Sequence, residues 1–132
     1  HICNTWAQQP EIIVVEPEAA PCLLESKKTG VPTAVTGPVS AMGRLDCKEP
    51  SLLAFEILQQ AADRFVCVSE SEADTAVIQL AESGIDTTPS GAAGMAAMLA
   101  ASRLEIGMSE GSICLVIATE GYIDLPVEKI TV

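Results

Sequence analysis

Two short segments carry residue types that can do chemistry. Ser90-Gly91-Ala92-Ala93-Gly94 follows Thr88-Pro89 where a helix is expected to begin; small residues there let a ligand approach outward-facing backbone N–H groups. Ala118-Thr119-Glu120-Gly121 stands at the end of an apolar run, and parallel sheets bind ligands beyond the carboxyl ends of their strands. Each also has a plain structural reading: a helix packed tightly through Gly and Ala, and a turn opened by Thr and Glu. The usual catalytic sets are missing, with no GxGxxG after a strand, no Walker loop and no nucleophile elbow. The single histidine is His1, which cannot serve a triad from a chain end. The five cysteines, Cys3, Cys22, Cys47, Cys67 and Cys114, contain no CxxC pair, so zinc finds no ligand set. Their odd number and the lack of a secretory signal fit reduced thiols. Cys67 and Cys114 lie inside apolar strand-like runs and read as core.

The elements that must position these segments alternate between strand and helix. Residues 1–9 hold Ile2, Cys3 and Trp6 at near-helical spacing with no cap, and read as the tail of a helix begun earlier. Glu11 to Val15, between Pro10 and Pro17, reads as a buried strand. Glu18 to Lys28 follows as a helix with Leu23 and Leu24 inward and Gly30 after its end. Val31 to Val35 is a candidate extended segment, and residues 37–50 form a loop with one helical turn near Met42. Pro50 to Ala62 carries Leu52, Leu53, Phe55, Ile57 and Leu58 at helical spacing, and Arg64 to Val68 is an apolar strand. Ser69 and Glu72 form a capping box for a helix with Ala73, Ala76, Val77 and Leu80 inward and its end at Gly84. An Ala- and Met-rich helix then runs from the Thr88-Pro89 start to about Ser102, and Ile113 to Thr119 reads as a continuous apolar strand. Strands apolar on both faces predict an α/β fold: part of a three-layer parallel sheet, three or four strands wide, with helices on both faces.

With 132 residues the chain is one domain or a portion of one. Apolar residues make up 48% and charged ones 19%, against roughly 25% charged in an average domain. The net charge of −11 repels phosphate backbones and anionic lipid, which excludes nucleic-acid and membrane-surface roles. No apolar run approaches the ~20 residues of a membrane span. A soluble, cytoplasmic protein is expected. Its surplus of apolar faces predicts a homo-oligomer, since burial rewards self-contact and charge repulsion is screened by salt.

Taken in order, Val15 to Ala19, Met42 to Pro50, Phe65 to Ala76, Ser90 to Gly94 and Ile117 to Gly121 resemble the C-terminal part of fold type II pyridoxal-phosphate enzymes, over residues 10–124. The Cys47-Lys48-Glu49-Pro50 element with Thr119-Glu120-Gly121 is more similar to the diaminopropionate ammonia-lyases than to threonine dehydratases or serine racemases. The resemblance implies pyridoxal phosphate held on a lysine far upstream and a glycine-rich phosphate loop, neither present in this chain. Lys27, Lys28, Lys48 and Lys129 do not match the family's lysine motif, so no catalytic residue is assigned. Residues 1–132 then form the C-terminal portion of a lyase catalytic domain, inactive alone and acting on a small amino acid when whole.

By the same resemblance Thr119 bonds the ring nitrogen of the cofactor, and Ser90 and Gly91 line the ring. A hydroxyl cannot keep that nitrogen protonated as a carboxylate does. The ring is then a weaker electron sink, which favours prompt loss of a β-substituent and suits elimination of ammonia from 2,3-diaminopropionate to pyruvate. Many relatives carry a glutamate where this chain has Thr88 or Pro89, so no acid is expected beside the ring from those positions. Racemase-like relatives bind a cation through Glu, a carbonyl and Asp. Glu16 and Ala20 match, but Cys22 replaces the Asp and sulfur suits a hard cation poorly; no metal is expected, and Glu16 is expected to be satisfied by backbone amides. Cys22 and Cys47 match a cysteine pair that can bridge in relatives, which implies Cα atoms within about 7 Å. The competing readings are a threonine or serine dehydratase or racemase relative, and an interaction module without chemistry.

Overall fold

The computed structural model describes residues 5–121. Its elements run β1 (Ile13–Pro17), α1 (Cys22–Thr29), α2 (Leu52–Ala61), β2 (Arg64–Val68), α3 (Glu70–Glu82) and α4 (Pro89–Leu99). The two strands pair in parallel, Ile13 opposite Arg64 and Pro17 opposite Val68. Successive strand side chains point to opposite faces. Val66 and Val68, with Ile13 and Val15 beside them, enter the core built on α3 and α4. On the other face Glu16 receives the start of α1, and the Lys27 ammonium of α1 lies 5.7 Å from the Phe65 ring centroid. Helices therefore cover both faces of the sheet, the α/β layering its sequence predicts.

Both helices of the core, α3 and α4, begin on a side-chain cap. The Ser69 hydroxyl accepts from the Glu72 N–H at 3.3 Å while the Glu72 carboxylate accepts from the Ser69 N–H at 2.8 Å, a complete capping box for α3. Thr88 caps α4 with Pro89 in its first turn, where the missing N–H costs nothing. Ala73 and Ala76 of α3 are buried together with Ala92, Ala93, Ala96 and Ala97 of α4. Methyl-sized contacts bring helix axes toward the short end of the ~8–10 Å range. Met42, fully buried, reaches this core from the loop before α2, and the expected turn there is closed by the Leu45 N–H on the Met42 carbonyl at 2.8 Å.

Several boundaries differ from the sequence reading. The first strand is displaced toward Pro17, and α1 begins at Cys22 rather than Glu18. Pro21 and a turn from Ala20 N–H to Pro17 C=O intervene. The buried residues of α1 are Cys22 and Ser26, with Leu23 and Leu24 only half-buried, because the two bonds to Glu16 orient its first turn. Residues 31–35 form no strand; Val35 N–H bonds to the Lys48 carbonyl instead. In α2 only Phe55 is buried, and Leu52, Leu53 and Ile57 stay exposed. Residues 113–119 pair with neither strand, so the sheet has two strands among the described residues rather than three or four. Apolar pattern alone does not make a strand, since its N–H and C=O groups need a ladder partner. Of the expected N-terminal helix, residues 6–9 are not helical and residues 1–4 lie outside the described ones. No helix among the described residues is long and apolar enough to cross a membrane.

Two stability outcomes follow. Ala76→Leu should destabilise the fold by about 1–3 kcal/mol, the usual cost of overpacking, whereas Ile78→Ala on the exposed side of α3 should change it by less than about 0.5 kcal/mol; urea unfolding compares them. The second concerns acid. Burial pushes the Glu72 carboxyl up, but bonds from Arg103 and Ser69 outweigh it and hold the group below its usual value. A depressed carboxylate stabilises above its unfolded pKa and loses that contribution as pH falls through the folded one. Glu72→Gln should lower stability at pH 7 and flatten its decline below pH 4.5; an unchanged acid limb in pH-dependent urea titration refutes this.

Candidate functional site

The helix start and the second chemistry-bearing segment meet. Thr88 uses its hydroxyl twice: it accepts from the Gly91 N–H at 3.3 Å, the α4 cap, and donates to Glu120 Oε1 at 2.7 Å. The hydroxyl of neighbouring Thr87, 1% exposed, donates to the Glu120 carbonyl at 2.6 Å. On the other side Arg44 Nε lies 3.6 Å from Glu120 Oε2, while the Arg44 backbone N–H donates to Ser90 Oγ at 3.1 Å. Three separate stretches, 43–45, 87–91 and 119–121, thus converge on one carboxylate and one hydroxyl.

Gly91 is where the approach is closest. A Cβ there would stand 2.1 Å from Thr87 Oγ1 and 3.1 Å from the Glu120 carbonyl oxygen, so only glycine lets residue 120 lie against the helix. Further along α4 the same closeness recurs, where a Cβ on Gly94 would meet Val116 at 3.0 Å. Segment 113–119 is held to the body of the protein on this side. Its residues Ile113 (97% exposed), Leu115 and Ile117 face outward.

Of the residues singled out in the sequence, Ser90 and Gly91 stand at this junction, and Thr119 is exposed next to the anchored Glu120. Thr87 and Arg44 were not among them. Thr88 as an N-cap is legible from the Thr-Pro pair, but nothing local links Thr87 to a carbonyl 33 residues away. No acid stands at 88 or 89, yet the structure brings the Glu120 carboxylate to the Thr88 hydroxyl from another segment. The lysines with described positions are engaged elsewhere. Lys48 bonds to the Ala19 and Pro38 carbonyls and to Asp46, Lys27 to the Gln59 carbonyl and Lys28 to Glu25. Lys129 lies outside the described residues.

At the end of β1, Glu16 accepts from the N–H groups of Leu23 and Leu24, both at 2.8 Å, and from the Cys22 thiol at 3.6 Å. The carboxylate is satisfied by backbone amides, as its position predicts, and it meets the positive end of the α1 dipole. Burial nevertheless keeps its pKa above the ordinary value, the two amides opposing it. Burial and the Glu16 charge together push the Cys22 thiol up to about 11. Cys47 is close enough to add to that rise, and both cysteines are free thiols. Cys67 is likewise pushed to about 11, by burial and then by the charges of Glu16 and Glu18. Among the described residues no group of three or more His, Cys, Asp or Glu is placed to hold a metal ion.

Comparison with known proteins gives the following likenesses. The family model described as "Pyridoxal-phosphate dependent enzyme" matches residues 4–120. The diaminopropionate ammonia-lyase of Escherichia coli (strain K12) is 31% identical over 127 residues, which cover 86% of this chain and 32% of that protein. The same figures hold for the diaminopropionate ammonia-lyase of Escherichia coli O157:H7. The chain therefore spans about a third of the length of these curated relatives. Among solved structures, a T.th. threonine deaminase superposes with a TM-score of 0.69 at 25% identity, over 76% of this chain and 38% of that one. Maize serine racemase shares the fold with a TM-score of 0.68 at 21% identity, over 75% of this chain and 31% of its own.

The thiols provide a direct test of the site's surroundings. Cys114, read from its apolar run as core, is exposed instead. Because the thiolate is the nucleophile, alkylation at pH 8 should label exposed Cys47 and Cys114 at least about tenfold faster than Cys22 and Cys67. Peptide mass mapping against time reads the order, and Cys22 reacting as fast as Cys47 would contradict its burial beside Glu16.

Proposed function

The chain belongs to the pyridoxal-phosphate dependent enzyme family, fold type II, and from that premise we propose that residues 1–132 are the C-terminal portion of a lyase that eliminates ammonia from 2,3-diaminopropionate, yielding pyruvate and a second ammonia after hydrolysis. The observation that carries the reading is the junction of Thr119-Glu120-Gly121 with Ser90 and Gly91 at the start of α4. The 31% identity to diaminopropionate ammonia-lyase supports the substrate.

The residues at this junction fit one edge of the family's cofactor. Pyridoxal phosphate, when bound, supplies the electron sink that lets the α-proton leave and the β-substituent depart. Thr119 is exposed, and its neutral hydroxyl would hold the ring nitrogen as a donor that carries no charge. Ser90 already accepts from Arg44 N–H, which leaves its own proton to donate. Gly91, with no side chain, lets Glu120 pack against the helix start and so keeps the adjoining Thr119 at the junction that holds Ser90. Glu120 has its carboxylate committed to Thr88 and Arg44, so the side facing a ring presents hydroxyls rather than a free acid. Covalent attachment is assigned to a lysine elsewhere in the whole protein, because none of the chain's four lysines matches the family's lysine motif and Lys27, Lys28 and Lys48 are bonded away from this junction. The isolated chain is accordingly inactive in this reading. The proposal also takes the enzyme as cytoplasmic and as a homo-oligomer; the exposed Leu52, Leu53, Ile57, Ile113 and Leu115 are apolar surface that the rest of the whole protein or a second copy would cover.

The test is an assay of the whole enzyme with 2,3-diaminopropionate, serine and threonine, following pyruvate or oxobutyrate. Diaminopropionate should be the best substrate by kcat/KM, and Thr119→Ala should lower turnover at least about tenfold while stability changes by no more than the ~0.5–1.5 kcal/mol of one hydrogen bond. Preference for threonine or serine would favour the dehydratase reading that the threonine deaminase likeness supports. Unchanged turnover in Thr119→Ala removes the role of that residue.

A further inference from the structure

Resting on the reading of Thr119 just given, we propose that Thr87 and Glu120 form a latch that positions Thr119 for the cofactor ring. Segment 112–121 pairs with neither strand, so within the described residues no ladder sets its register. What sets it is the hydroxyl of Thr87, itself 1% exposed, on the Glu120 carbonyl at 2.6 Å, with the Thr88 hydroxyl on the Glu120 carboxylate at 2.7 Å. A hydroxyl has one proton to give. Both threonines give theirs to the same residue, and the Thr88 lone pair still caps α4.

The segment meets α4 at two places. Val116 lies against Gly94 and Glu120 against Gly91, and these two are its half-buried residues, whereas Thr119 is exposed. Holding Glu120 against the helix start therefore leaves the neighbouring Thr119 exposed at the same end of α4. A shift of one residue would bring Thr119 to Thr88 and release Glu120 to solvent. The bare Cα of Gly91 prevents a clash in the observed register, because any Cβ would strike Thr87 Oγ1 and crowd the Glu120 carbonyl. The Arg44 ion pair adds little, since that side chain is 79% exposed and such pairs are weak. Its backbone N–H instead fixes Ser90 at the same junction. Thr87 and Glu120 touch no ring in this scheme; they are positioning residues that act through Thr119.

The experiment uses the whole enzyme in apo form, with pyridoxal phosphate added back and its dissociation constant read from cofactor absorbance, alongside the urea midpoint of the apoenzyme. Thr87→Val keeps the shape and removes the proton; it should weaken cofactor binding about tenfold, the size of one bond of ~1.4 kcal/mol. Thr87→Ser restores the donor and should return the constant to within about threefold of the parent. Thr119→Val is the reference for the underlying reading and should weaken binding at least as much. A lowered urea midpoint in Thr87→Val with an unchanged dissociation constant makes Thr87 a purely structural residue and overturns the latch while leaving Thr119 in place. An unchanged constant in Thr119→Val overturns the reading of Thr119 and the latch with it.

Discussion

The contact on which the rest of this chain depends is the seam of alanines between α3 and α4. Ala73 and Ala76 face a core shared with Ala92, Ala93, Ala96 and Ala97, all buried, and side chains this small let the two helices pack closely. That packing holds α4 in place, while the Thr88 cap and Pro89 set where it begins. Thr88, Ser90 and Gly91 belong to its start, so the junction they form with Glu120 is built on the seam rather than on a loop of its own. Functional residues carried by rigid elements hold their geometry better than residues on free loops.

An acidic chain must find partners for its carboxylates, and here many accept from backbone N–H groups. Glu16 takes two amides of α1, Glu70 the amide of Ala41 and the hydroxyl of Ser40, Glu72 the amide of Ser69, and Asp63 the amide of Ile12. Three of these groups lie at helix starts, where the dipole favours negative charge. The chain has 18 acids against 7 lysines and arginines, and backbone amides satisfy Glu16, Glu70 and Asp63 where, among the described residues, none of the side-chain cations does. The Glu120 carboxylate instead takes the Thr88 hydroxyl and faces Arg44, and it is the one that joins the candidate site.

The basic residues that do pair are spread over the joints of the fold. Arg103, beyond α4, grips Glu72 with two nitrogens and reaches the Cys67 carbonyl of β2 at 3.1 Å. Arg64 at the start of β2 bonds to Glu11 and to the Glu105 carbonyl. Lys48 gathers the Ala19 and Pro38 carbonyls, tying the long loop before α2 to the end of β1. Each spans residues distant in sequence, and each gains more from hydrogen bonds to carbonyls than exposed charge pairing alone supplies.

Features settled within one turn of chain were legible in the sequence. The Ser69–Glu72 box, the Pro89 helix start and the Met42 turn rest on contacts spanning a few residues, where propensity and capping act directly. The bounds of β2 and the amide-bound Glu16 were legible too, although β2 pairs with a strand far away and Glu16 reaches seven and eight residues on. Tertiary structure decided what needs a distant partner. Leu23 and Leu24 follow the expected period, but the grip of Glu16 turns Cys22 and Ser26 inward instead. Residues 113–119 have the composition of a strand, yet strand formation belongs to a pair of chains and neither β1 nor β2 pairs with them. The resemblance marked Ser90, Gly91 and Thr119, but only packing reveals that Thr87 reaches the carbonyl of Glu120 across 33 positions, because a hydrogen bond of that span leaves no periodic trace in the residues between.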